Sequence, residues 1–241
     1  MSGAGVLVIL LLISSIPAIA VFAWFRLARY PFSPARFSVS LLAGSASFFP
    51  ALVLQNMLAG WGGLFRVMGK WSLVAEIFVR IALTEELSRL LLLAILFSLI
   101  RRFGQAAAEE ANPRQNPDGV KIPAVIMAGA AGLIAGLGFA LLESAVYGAS
   151  NPANALLRAF TAAPLHGACG FRVGSSIAMF RESPAQAVFR FLRAVVIHGI
   201  YNFMLLIPGT LPPIAAVLIA LFTLAAAVVE IRNGMREENA A

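Results

Sequence analysis

Charge is scarce in this chain: Asp, Glu, Lys and Arg together make up 12% of its 241 residues. A soluble domain of this length carries about twice that share, so a water-exposed globular surface is excluded. Cysteine is nearly absent. The single Cys169 rules out an intrachain disulfide, and its small apolar neighbours give it a packing role. Histidine is equally rare, with only His166 and His198. Basic runs interleaved with aromatics are missing, which argues against nucleic acid as a partner despite a net charge of +7. There is no His-Glu-x-x-His and no Gly-x-Ser-x-Gly, so neither a zincin helix nor a nucleophile elbow is present. No repeat of 20 to 50 residues is visible.

Apolar residues fill the space that charge leaves. They make up 60% of the chain, and mean hydropathy is +0.88, the composition of an integral membrane protein. Apolar runs predict an all-α, polytopic helical bundle with seven transmembrane spans at about 5–25, 38–59, 81–100, 122–147, 155–180, 189–207 and 213–231. The first run lacks a basic leader and is followed by Arg26, Arg29 and Arg36, so it reads as a retained span with the N-terminus outside. Trp61, Arg66, Lys70 and Trp71 occupy a short outer connection. From Trp71 to Ile100 the pattern is helical throughout, and Ser72, Glu76, Arg80, Thr84 and Ser88 form a polar stripe. Residues 103–121, FGQAAAEEANPRQNPDGVK, predict a cytoplasmic loop. Most lysines and arginines fall in segments assigned to the cytoplasm, against Arg66 and Lys70 outside, which places the C-terminus inside. The whole chain, 1–241, reads as one domain.

Polar residues at membrane depth point to function by default. Glu85 and Glu86 stand together before LLLLAILFSLI. Arg89 can pair with one of them at helical spacing, but side chains about 100° apart leave it poorly placed for both. Glu143 lies near the outer end of the fourth span. His166 follows Pro164, which should kink the fifth, and His198 and Asn202 share a face of the sixth. At ~1.5 Å per residue, all six fall roughly 5 to 17 Å below the outer surface. Each has a structural alternative: an intrahelical pair, a cap for a carbonyl freed by proline, or interhelical hydrogen bonding. Arg158 and Arg172 read as counter-ions or snorkelling side chains. Together, carboxylates, imidazoles and an amide at one depth fit activation of water, with a buried glutamate as base and histidine and asparagine facing an oxyanion. The same histidines with a glutamate would also suit Zn²⁺ or another divalent metal, although no cofactor is favoured. A proton-coupled carrier or an inert peptide-binding scaffold would use the same residue types.

The motifs TEELSRLLLL, GLGFALLESAVYG, LLRAFTAAPLHGACG and VIHGIYNFML, in that order after RLARYPFSP, resemble the PrsW family of bacterial intramembrane proteases. That family lies within a wider group that includes CAAX-processing and bacteriocin-processing proteases. The resemblance implies catalytic roles for Glu85, Glu86, His166 and His198, with support from Arg89, Glu143 and Asn202. It also implies a single-span membrane protein as substrate, such as an anti-sigma factor, and a bacterial inner membrane as location. Arg89 stands where the family usually has lysine, Ser144 where asparagine is usual, and Asn202 where aspartate is common. Oligomeric state is not implied.

Overall fold

The structure, a computed structural model, describes residues 3–30, 32–59, 71–108 and 123–236. These fold into seven long helices: α1 (Gly3–Leu27), α2 (Pro34–Ala59), α4 (Thr84–Ala108), α5 (Ala124–Gly148), α6 (Pro152–Met179), α7 (Pro184–Leu206) and α8 (Leu211–Arg236). A short α3 (Ser72–Ala75) leads through a π-helical segment, π1 (Glu76–Leu83), directly into α4. The fold is all-α, and five of the long helices are long and apolar enough to cross a membrane. The other two, α4 and α6, carry the buried polar and charged residues described below.

The seven spans expected from hydropathy coincide with these helices. Three details differ. α4 continues past Arg101–Arg102 to Ala108, so residues 103–108 are helix where a loop was expected. Alanine and glutamine there are good helix formers, while the rest of that loop lies outside the described residues. The stretch before Thr84 is π rather than α, with i→i+5 bonding. Third, α6 runs unbroken from Pro152 to Met179 with Pro164, where a kink was expected, inside it. The outer connection with Trp61, Arg66 and Lys70 also lies outside the described residues.

α5 is the centre of the bundle. Two thirds of its apolar window (67%) is buried, against 17–33% for the other four apolar spans. Its glycines explain this. A Cβ at Gly132 would meet the Gly170 carbonyl of α6, one at Gly136 the His166 carbonyl, and one at Gly138 the Leu41 carbonyl of α2. With no hydrophobic force between helices in lipid, such backbone contact supplies the packing. α5 therefore seats α6 on one side and α2 on another. Large apolar side chains such as Leu12, Phe49, Val196 and Phe222 face outward from α1, α2, α7 and α8, as lipid-facing positions should.

Candidate active site

Thr84 begins α4, and its hydroxyl donates to the carbonyls of Arg80 (2.6 Å) and Ile81 (3.0 Å). These bonds tie the last turn of π1 to the first turn of α4, which carries Glu85 and Glu86. Glu86 is fully buried, and Arg89, one turn on and also fully buried, donates from Nη1 to Glu86 Oε2. The guanidinium lies over the Phe139 ring of α5, 4.8 Å from its centroid. Its Nη2 is 3.2 Å from His166 Nδ1 on α6. A guanidinium only donates, so Nδ1 accepts and the His166 proton is assigned to Nε2. That Nε2 donates to Glu143 Oε2 at 2.8 Å. Arg158 donates to the same oxygen at 2.5 Å, and its guanidinium stacks 4.2 Å from the Tyr147 ring.

His198 arrives from α7. Its Nδ1 is 2.8 Å from Glu86 Oε1, and its Nε2 is 3.6 Å from Glu85 Oε2. The carboxylate accepts from Nδ1–H, and Nε2 faces Glu85. The two imidazoles are thus opposite tautomers. They meet edge to face at 4.9 Å, and Phe139 packs against His166 at 5.1 Å.

Three carboxylates share this centre with two arginines. Glu86 is matched by Arg89 and Glu143 by Arg158. Among the described residues Glu85 has no arginine or lysine; its Oε1 accepts from the neutral amide of Gln55 at 3.0 Å, and its buried Oε2 has no hydrogen-bond partner. A buried carboxylate without a cation is costly unless it takes up a proton or a metal. Glu85, His166 and His198 each offer a ligand atom within 4.8 Å of the others. That N, N, O donor set, with an orphaned oxygen in it, fits a divalent cation such as zinc.

Glu85, Glu86, Arg89, Glu143, His166 and His198 therefore converge from α4, α5, α6 and α7. Asn202 does not join them. It is half-buried and has no hydrogen bond to the cluster among the described residues. Arg172 is also elsewhere, donating to the Ala168 carbonyl at 2.9 Å. Sequence reasoning missed Gln55 and Phe139, and left the partner of Arg158 open. Gln55 had a usable signal: it is an amide within the apolar second span, four residues from the outer end of α2 at Ala59, the depth of the other site residues.

A multi-pass membrane bundle enclosing a buried centre of carboxylates and imidazoles defines a membrane-embedded hydrolase type of site. Residues 34–229 match the PrsW family intramembrane metalloproteases, and the chain belongs to that family. It is an intramembrane protease. No curated protein and no solved structure matches the chain significantly.

Proposed function

We propose that the protein is an endopeptidase that cuts a single-span protein of a bacterial plasma membrane near its outer boundary, with water activated at Glu85. The observation carrying this is the uncompensated Glu85 Oε2, buried and facing His198 Nε2. In the order of events, Glu85 accepts the proton of a water placed against the scissile carbonyl. Gln55 holds Oε1 and so aims Oε2. Glu86 keeps the His198 proton on Nδ1, while Arg89 neutralises Glu86 and fixes the tautomer of His166. His166 Nε2–H, shared with Glu143, becomes a donor to the developing oxyanion if Glu143 turns toward Arg158. An anti-sigma factor is a suitable substrate, being a single-span protein with an outer segment. The N-terminus lies outside and the C-terminus in the cytoplasm, which opens the centre toward the extracytoplasmic side.

The donor set favours a second reading, in which Glu85, His166 and His198 hold a divalent metal. Bound there, it would lower the pKa of a water and polarise the carbonyl. His166 would then give up one present contact, Arg89 if it bound through Nδ1 or Glu143 if it bound through Nε2.

Cleavage of single-span peptides by purified wild type, Glu85→Gln and His198→Ala, with and without a chelator, separates the readings. Loss of at least about 10²-fold in Glu85→Gln with chelator-resistant wild-type activity supports glutamate catalysis. Activity lost on chelation and restored by a divalent ion supports the metal site. Full activity in Glu85→Gln would sink both.

A further inference from the structure

Two clefts flank α4, one from Leu90, the residue after Arg89, to Ala94, the other at Phe97 and Ile100. One, of about 350 Å³, lies between α4, α6 and α7 and is walled by Leu90, Ala94, Ile177, Ala187 and Phe191, with Arg181 at its edge. The other, of about 260 Å³, lies between α2, α4 and α5, walled by Phe32, Phe97, Met127 and Ala131, with Arg36 at its edge. They are walled by the start of α2, α5 and α7, the end of α6 and the middle of α4. Arg36 and Arg181 are exposed, and neither forms an ion pair with a described carboxylate.

We propose that these clefts bind anionic phospholipid, with an acyl chain in each cleft and the phosphate on its arginine. The proposal uses the membrane orientation given above, in which the start of α2, α5 and α7 and the end of α6 are cytoplasmic, but not the peptidase chemistry. Size and charge both select the occupant. A transmembrane helix is about 10–12 Å across with its side chains, too wide to enter either cleft whole, whereas an acyl chain is a single carbon chain wide. A single-span protein concentrates Lys and Arg at its cytoplasmic boundary, which would oppose Arg36 and Arg181. Anionic headgroups belong to that leaflet, and basic pockets between transmembrane helices on that side bind them. Lipid chains on both sides would brace α4, the helix that carries Glu85, Glu86 and Arg89.

The test is native mass spectrometry of the full chain after equilibration in micelles with equal phosphatidylglycerol and phosphatidylcholine of matched chains. Wild type is expected to retain phosphatidylglycerol over phosphatidylcholine by about fivefold per site, the ratio one arginine at an anionic surface supplies. Arg36→Gln plus Arg181→Gln should bring the ratio close to one, and Ala94→Trp should displace one lipid of either kind. Arg193→Gln, outside both clefts, should change nothing. Equal retention of both lipids, an unchanged ratio in the double variant, or an equal drop in Arg193→Gln would overturn the proposal. So would displacement of the bound lipid by an added single-span peptide, which would assign the clefts to a protein helix. Lipid retention is read without cleavage, so it stands or falls separately from the protease mechanism; a cytoplasmic N-terminus would show instead that the orientation is at fault.

Discussion

Glu85 and Glu86 are neighbours in sequence with opposite energetic situations. Glu86 is locked between Arg89 and His198, and Glu85 is held only by an amide. Removing one partner of a buried ion pair typically costs about 3–5 kcal/mol, because the other charge is stranded. Glu86→Gln is therefore expected to lower stability by about that amount, read as a drop in unfolding temperature in detergent. Glu85→Gln strands no cation, and its unfolding temperature should stay level or rise while cleavage is lost. Equal destabilisation by both would contradict the charge assignment. Gln55 supplies another contrast. Gln55→Leu should retain the fold but reduce kcat at least tenfold with little change in KM, since the residue aims the base rather than binding peptide; Gln55→Asn, too short to reach, should behave the same way.

At the scale of elements, the site depends on two close approaches. Gly136 of α5 lies against the backbone carbonyl of His166, so any Cβ there forces α5 and α6 apart at the level of the imidazole. Gly136→Val should lower folded yield in the membrane, seen as aggregation in size-exclusion chromatography. Gly199, beside His198, is covered by the Phe78 ring of π1. A methyl there would press on Phe78 Cδ1 and lie 2.9 Å from its Cγ, so the rigid ring must move and Gly199→Ala should shift α7 against π1 at some cost in stability. Displacements of about 1 Å at a catalytic group cost up to about 10²-fold in rate, so kcat is expected to fall by more than the accompanying drop in unfolding temperature accounts for. π-helical turns recur at functional sites. Here π1 delivers Phe78 to Gly199 and passes directly into the turn carrying Glu85 and Glu86.

For the whole molecule, the proposed orientation has the N-terminus outside and the C-terminus in the cytoplasm. A green fluorescent reporter fused to the C-terminus should fluoresce, as it does when folded in the cytoplasm, and one at the N-terminus should remain dark after export. The reverse pattern would invert the bundle and place the catalytic centre in the cytoplasmic half. The lipid clefts would then face outward.

Hydropathy is a sum over local composition, and local composition carried the membrane character and the positions of the seven long helices. Motif order pointed to the family for the same reason: short segments carry it. The sequence could not show that α4 runs on past Arg102 or that π1 precedes it, since helix and loop propensities there differ by tenths of a kcal/mol per residue. Nor could spacing decide which carboxylate lacks a cation, which tautomer each histidine holds, that Gln55 reaches Glu85, or that Asn202 stands apart. Those depend on contacts spanning 30, 77 and 112 residues of chain, for Gln55 to Glu85, Arg89 to His166 and Glu86 to His198. Only the packing of α5 between α2 and α6 brings such partners together, because glycines let the backbones touch and so set which side chains meet.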